Sequence, residues 1–350
     1  MKNSNPMIII MSDTHLGASG ARVKLIQEFI HKILDDLNNN EGFKNDLKAF
    51  IILGDIFDLV CDSYKDIAHD YKEILEDIDA ILNHGVAVVL TLGNHDISVS
   101  GNLDKKFLKQ KRKLIKKFKE INLNAKFLNE LTIGQYLYIH NNTRGWEISI
   151  YNKKNIFNSN PINTITLQKT ENLGKKFHIL LTHGHQFFPE KTKLASSIWD
   201  FCLSAPDIIK EFFNYLWNVV LKREKTNEPI NLDDELEKNQ EILEKKFNLK
   251  LKSRKKKVIM KYYTNFKDID NYRDQLINSE AKIKEVLGDT EITHIIFGHT
   301  HKVEILKEDN RLIYNTGAWQ HVNPSYAEFY SDGTIKIKIL NDNGEWEDYN

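Results

Sequence analysis

Met7-Ile8-Ile9-Ile10-Met11-Ser12-Asp13-Thr14-His15 carries an unbroken apolar run straight into an Asp-x-His pair. The arrangement returns twice. Ala49-Phe50-Ile51-Ile52-Leu53 leads into Gly54-Asp55-Ile56-Phe57-Asp58, and Val86 to Leu92 leads into Gly93-Asn94-His95-Asp96. Runs that are apolar throughout belong to strands covered on both faces. Helical patterns separate them. Residues 21–37 place Val23, Ile26, Ile30, Ile33, Leu34 and Leu37 on one stripe; residues 64–83 do so with Ile67, Tyr71, Ile74, Leu75, Ile78 and Leu82. Strand–helix–strand–helix–strand predicts parallel pairing through right-handed crossovers. Ligands of such sheets bind beyond the carboxyl ends of the strands.

Beyond residue 126 the pattern changes. Stretches around 135–140, 146–151 and 162–167 read as antiparallel strands. Phe177 to Leu181 leads into Thr182-His183-Gly184-His185, and Thr293 to Phe297 leads into Gly298-His299-Thr300-His301. Strand-like segments follow at 302–307, 311–315, 325–330 and 334–340, with turns at Asp309-Asn310 and Asp332-Gly333. These later strands are expected to form a second sheet packed on the first. Residues 187–289 interrupt them with helical patterns. Ser204-Ala205-Pro206-Asp207 is a helix start, and 231–249 and 268–287 read as further helices. The expected organisation is a core of 1–186 and 290–350 with a helical insertion at 187–289, either a lid over the site or a packing layer.

The 350 residues suffice for one large α/β domain with an insertion. A formal net charge of zero gives no global pull toward nucleic acid or an acidic membrane. Two cysteines, Cys61 and Cys202, make no disulfide framework, which fits a reducing cytosol. The first apolar run is too short for a signal peptide, and no run of about 18 apolar residues marks a spanning helix. The expected location is the cytoplasm, with peripheral contact at a membrane surface as an option.

The motifs share one chemistry. Asp13, His15, Asp55, Asn94, His183, His299 and His301 offer oxygen and nitrogen ligands at strand ends. Neighbouring strands lie about 4.8 Å apart, so their loops can converge. Side-chain alternation would point Asp13 and His15 the same way. Asp55 is the candidate bridging carboxylate between two ions. The mixed donor set suits Mn, Fe, Zn or Co better than Mg or Ca. Two such ions are a device for displacement at phosphorus.

On these motifs the chain resembles the calcineurin-like metallophosphoesterase family over about 1–186 and 290–350. The resemblance implies a four-layer α/β/β/α sandwich of two mixed sheets. It implies one metal on Asp13, His15, Asp55 and His301 and a second on Asp55, Asn94, His183 and His299. It implies that His95 is the catalytic histidine, oriented by Asp58, and that a metal-bridging hydroxide attacks phosphorus. Tyr314-Asn315-Thr316-Gly317-Ala318-Trp319 is similar to the family's segment after the last histidine motif. Asp96 and His185 adjoin the set, with His185 facing either substrate or a ligand; His140 and His321 read as structural.

Substrate choice falls to the less regular segments. The Trp199–Leu221 stretch is apolar and aromatic, and Trp199, Phe213 and Trp217 are candidates for lining an acyl-chain groove or for core or dimer packing. Lys105 to Lys119 is basic with an apolar stripe, a pattern that docks on phosphate backbones or anionic lipid, or simply faces solvent. Lys250 to Lys261 has the same ambiguity. The leading reading is hydrolysis of a phosphodiester or pyrophosphate bond in a phosphorylated small molecule, lipid or nucleotide. Alternatives on the same site are a phosphomonoesterase, a DNA nuclease, and a lipid-headgroup or UDP-lipid pyrophosphohydrolase. A non-catalytic scaffold is disfavoured by the intact ligand set. Oligomeric state is not encoded in any motif.

Overall fold

Apolar residues at every position of a strand still divide by parity, since successive side chains point to opposite faces. Ile9, Met11, Phe50, Ile52, Val88 and Leu90 join one core cluster; Ile8, Ile10, Ala49, Ile51, Leu53 and Val89 join another. The first three strands are thus buried on both sides, as continuous apolar runs require.

The structure, a computed structural model, describes residues 5–18, 20–58, 64–93, 95–96, 116, 132–134, 136–142, 145–151, 161, 163–168, 177–184, 292–308, 311–320 and 323–349. In chain order the elements are β1 (Ile8–Met11), α1 (Val23–Asn39), α2 (Glu41–Asp46), β2 (Ala49–Leu53), α3 (Tyr64–Asp70), α4 (Lys72–Asn83), β3 (Ala87–Thr91), β4 (Thr132–Gly134), β5 (Tyr136–Asn142), β6 (Gly145–Tyr151), β7 (Asn163–Gln168), β8 (His178–Thr182), β9 (His294–Phe297), β10 (Val303–Glu308), β11 (Arg311–Thr316), β12 (Ser325–Phe329), β13 (Ile335–Leu340) and β14 (Trp346–Asp348). They build two mixed seven-stranded sheets, ordered β14-β13-β12-β1-β2-β3-β4 and β10-β11-β9-β8-β5-β6-β7.

The predicted parallel core is present, with β1 paired to β2 and β2 to β3 in parallel, and β4, which the pattern did not announce, extends it in parallel beside β3. In the second sheet β8, β9 and β11 are parallel neighbours, while β5, β6 and β7 are antiparallel. One assignment changes. Segments 325–330 and 334–340 do not join the second sheet; β12 lies antiparallel to β1, and β13 lies on β12. Placed centrally, β12 is buried along its whole length, with Ala327 and Phe329 between the sheets and Tyr326 on the helical side.

One face of the first sheet is covered by α1 and α4. Ile26, Phe29, Ile30, Ile33, Leu34 and Leu37 of α1 and Ile74, Leu75, Ile78 and Leu82 of α4 are buried there. Each such side chain contributes about 1.5–3 kcal/mol relative to exposure. The single helix predicted over 64–83 is divided at Tyr71, whose φ of −113° and ψ of 24° leave the helical region. Bonds from Tyr71 N–H to Ile67 O (3.0 Å) and from Leu75 N–H to Tyr71 O (3.2 Å) bridge the irregularity.

The other face meets the second sheet. Trp146 is fully buried between them, edge-to-face with Phe329 at 4.8 Å, and its indole N–H donates to Ser331 O (3.1 Å). Helices on one sheet and two stacked sheets account for three layers of the sandwich. The insertion 187–289 and the basic runs 105–119 (Lys116 apart) and 250–261 lie outside the described residues. No helix among the described residues is long and apolar enough to cross a membrane.

Candidate metal centre

The loops after β1 and β2 leave their strands still paired. Asp13 N–H donates to Gly54 O (3.1 Å), His15 N–H to Asp55 O (2.9 Å), Leu16 N–H to Ile56 O (2.9 Å) and Asp58 N–H to Leu16 O (2.8 Å). This ladder sets the first two motifs side by side. The last motif is hung on the first: His299 N–H reaches the Asp13 carboxylate oxygens at 3.1 and 3.0 Å. The third is hung on the second, because His95 N–H donates to Asp55 Oδ1 (2.7 Å).

The backbone here is not extended. Asp13, His15, Asp55, His299 and His301 have φ between 46° and 72°, and these are all the non-glycine residues with positive φ among those described. Left-handed backbone costs an L side chain roughly 1–2 kcal/mol. Asp13 and His15 therefore point into one site through left-handed turns, not through the strand alternation expected from their spacing. The backbone strain among the described residues is thus concentrated on five acids and imidazoles of the motifs.

Three groups of side chains could each hold a metal ion: Asp13, His15 and His301; His15, Asp55 and His95; and Asp55, His183 and His299. The distances are short. His15 Nε2 lies 3.1 Å from His301 Nε2 and 3.8 Å from Asp55 Oδ2. His301 Nε2 lies 3.5 Å from Asp13 Oδ1, His183 Nε2 lies 3.2 Å from Asp55 Oδ2, and His299 Nδ1 lies 3.2 Å from His183 Nε2. The His183 Nδ1–H donates to Leu53 O at 3.2 Å, which turns Nε2 inward. Such a hydrogen bond on the second nitrogen is what orients a ligating histidine. Asp55 and His15 each belong to two of the groups.

Glycine is required around these ligands by close approach. A Cβ on Gly298 would lie 2.1 Å from Asp13 Oδ2, and one on Gly93 would lie 2.1 Å from Asp55 Oδ1. The glycines that begin the Gly-Asn-His and Gly-His-x-His motifs thus leave room for the carboxylates of other motifs. The fit to metal ions rests on this donor set: buried carboxylates and imidazoles converging with nitrogen lone pairs toward one another.

Burial tends to raise the carboxyl groups of Asp13 and Asp55, but His183 and its neighbours outweigh it and hold both below the ordinary range. Burial likewise opposes charge on His183, yet Asp55 and Asp13 push it up to about 9. His299, partly buried beside His183, falls to about 3. His95 is buried, and Asp58 and Asp55 push it up to about 9. Its Nδ1 lies 3.1 Å from Asp58 Oδ2, the pairing that the family resemblance implies. Asp58 is held well below the ordinary range, with His95 and His15 overcoming its burial.

Solvent reaches this set unevenly. The His301 side chain is 23% exposed, whereas Asp13 and His15 are fully enclosed. Among the described ligands the open side is therefore that of the His299–His301 loop.

Two residues matter more than their motifs suggested. Asp96 is buried, and its carboxylate accepts N–H groups from Phe57 (2.8 Å), Gly93 (2.9 Å) and Ile56 (3.3 Å), tying the second motif to the third. Burial and the neighbouring Asp55 charge push it up to about 7. Asn315 donates to Thr300 Oγ1 (2.5 Å) and accepts from Gly317 N–H (3.1 Å), bracing the loop that carries His299 and His301. The signal for Asp96 was its place directly after His95; for Asn315 it was the polar Asn-Thr-Gly after an apolar strand. His140 pairs with Glu147 on the second sheet at 3.8 Å, away from the site. Asn94, His185, Trp199, Phe213 and Trp217 lie outside the described residues.

Acids and imidazoles gathered at the strand ends of two stacked sheets form a cluster that could hold metal ions. A model of calcineurin-like phosphoesterases matches residues 6–303, a span that takes in every one of these ligands. The chain belongs to the calcineurin-like phosphoesterase family, and is a metal-dependent phosphoric ester hydrolase. No curated protein matches the sequence. Among solved structures it is similar to vacuolar protein sorting 29 from Cryptosporidium parvum, with 12% identity over 98% of this chain and 94% of that one and a TM-score of 0.37. A dimetal phosphatase from Danio rerio has 9% identity over 96% of each chain and a TM-score of 0.37. Phosphopantetheinyl hydrolase from Mycobacterium tuberculosis has 11% identity over 91% of this chain and 92% of that one, with a TM-score of 0.31. Identities and TM-scores are low throughout, and the family assignment rests on the family model.

Proposed function

We propose that this chain hydrolyses a phosphodiester or pyrophosphate bond with two divalent transition metals, Mn first among them and Fe, Zn or Co able to take the same donors. The observation that carries the reading is the convergence of Asp13, His15 and His301 with Asp55, His183 and His299 around a His95 backed by Asp58. Asp13, His15, Asp55 and His301 would hold one ion; Asp55, Asn94, His183 and His299 would hold the other. Bound there, the ions supply Lewis-acid polarisation of the phosphoryl group and a hydroxide nucleophile at neutral pH.

The chain's own residues do the rest. Asp58 holds a proton on His95 Nδ1 and stabilises the imidazolium. His95 Nε2–H is then either a donor for charge developing on a phosphoryl oxygen or a general acid for the leaving oxygen. In the metal-free chain Asp58 and Asp55 outweigh burial and push His95 up to about 9. The substrate approaches from the His301 side.

The test is a panel of bis-p-nitrophenyl phosphate, p-nitrophenyl phosphate, UDP-linked lipid, cyclic nucleotides and single-stranded DNA, run with Mn and accompanied by metal analysis. Turnover of the diester or pyrophosphate ahead of the monoester, with two metals per chain, is the expected result. Preference for the monoester would reassign the bond. Two bound metals without any turnover would point to a binding role.

A further inference from the structure

We infer that Asp58 is a positioning residue shared by two imidazoles, His15 and His95, so that it governs metal affinity as well as the proton-donating step. The inference rests on the reading that Asp13, His15 and His301 hold a metal ion. A single oxygen, Asp58 Oδ2, lies 3.1 Å from His95 Nδ1 and 3.4 Å from His15 Nδ1. The two rings stand edge-to-face at 4.5 Å with an interplanar angle of 88°, and each brings its Nδ1 within ion-pair distance of that oxygen. His15 is fully enclosed, so solvent cannot serve its Nδ1.

The backbone fixes this meeting. His15 N–H donates to Asp55 O, Leu16 N–H to Ile56 O, and Asp58 N–H returns to Leu16 O at 2.8 Å. Asp58 thus sits one step along the ladder from His15, on the neighbouring loop. An ionised carboxylate only accepts hydrogen bonds, so each ring nitrogen that faces it carries the proton. His15 is then the Nδ1–H tautomer. Its Nε2 lone pair points at Asp13, Asp55 and His301, with Asp13 Oδ1 at 3.9 Å and Asp55 Oδ2 at 3.8 Å. A carboxylate behind a ligating histidine both fixes the tautomer and strengthens the ligand, and its loss costs about 10–100-fold in metal affinity. The same carboxylate oxygen faces His95 Nδ1 at 3.1 Å and so restrains that ring as well. A residue that served His95 alone would leave metal affinity untouched.

The experiment compares Asp58→Asn with His95→Gln in the full chain. Mn affinity and stoichiometry are read by chelator competition and metal analysis, and turnover is read on bis-p-nitrophenyl phosphate. Both variants are expected to lose activity. With the two ions on the ligands assigned above, of which His95 is not one, His95→Gln should keep both at wild-type affinity, whereas Asp58→Asn should bind one of the two about 10–100-fold more weakly, with the double variant matching Asp58→Asn. If Asp58→Asn fails to fold, the His15 tautomer is read in the Zn-loaded wild type by long-range 1H–15N correlation: a proton on Nδ1 supports the inference and a proton on Nε2 overturns it. An Asp58→Asn chain that binds both ions as tightly as His95→Gln overturns it as well. A wild-type chain that binds no metal overturns the underlying reading, a result distinct from either.

Discussion

Gly93 and Asp55 are packed so closely that no larger residue fits between them: a Cβ on Gly93 would lie 2.1 Å from Asp55 Oδ1 and 2.4 Å from the Asp55 backbone nitrogen. The carboxylate cannot swing aside without losing its bond from His95 N–H. Gly93→Ala is therefore expected to shift Asp55. Overpacking of this kind costs about 1–3 kcal/mol, and a displacement near 1 Å at a reacting centre costs about 100-fold in rate. Metal analysis with kcat on the best substrate checks this; a Gly93→Ala variant with two tightly held ions and normal turnover would show that the contact is tolerated.

Metal uptake should release a proton, and the pH dependence follows from its source. His183 faces Asp55 and Asp13 and holds its proton up to about pH 9 in the metal-free chain, while its neighbour His299 has already lost its own above about 3. A ligating imidazole is neutral, so the ion must displace the His183 proton. Affinity is expected to rise with pH below about 9 and to flatten above it. Calorimetry in buffers of different ionisation heat counts the proton directly; heats that do not vary with buffer at neutral pH would count against this assignment.

His301 is held at φ 59° and is more exposed than Asp13, His15 or His183. In a left-handed position glycine is unstrained and alanine is not. In the chelated protein, His301→Gly is expected to be more stable than His301→Ala by about 1 kcal/mol, the reverse of the usual order in regular structure. Urea denaturation of both variants in excess chelator measures it. Equal midpoints, or alanine ahead, would mean that the loop relaxes once the metal is gone.

Asn315 is buried and braces Thr300 and Gly317 at once. Truncation to Ala leaves the Gly317 N–H without its acceptor, a loss of about 1–3 kcal/mol. Because Thr300 stands between His299 and His301, Asn315→Ala should also weaken metal binding. Thermal unfolding with and without Mn separates the two effects: the metal-induced rise in Tm should shrink along with the metal-free Tm. An undiminished rise would confine Asn315 to stability alone.

Much of the fold was legible because strand burial writes itself into composition. Continuous apolar runs at 7–11, 49–53 and 86–92 became central strands, and each motif stands where its run stops. The amphipathic stripes of α1 and α4 were legible for the same reason at helical spacing. Segments 325–330 and 334–340 were assigned to the wrong sheet, since their pattern records that they are buried but not beside which strand. The pairing of Asp13 with His15 was anticipated from alternation; their left-handed φ values bring it about instead.

By itself the sequence determined which residues could be ligands, because acid and imidazole chemistry is local and strand ends are marked by neighbouring residues. Only the tertiary structure decided which of them meet. His15 and His301 stand 286 positions apart in the chain and 3.1 Å apart at their Nε2 atoms. That Asp58 faces two histidines, that Asp96 collects three N–H groups and that Gly93 makes way for Asp55 are relations between different strand ends. They exist only once β1, β2 and β3 lie in register and the second sheet brings its histidines over them, because side-chain contact depends on position in space and not on spacing along the chain.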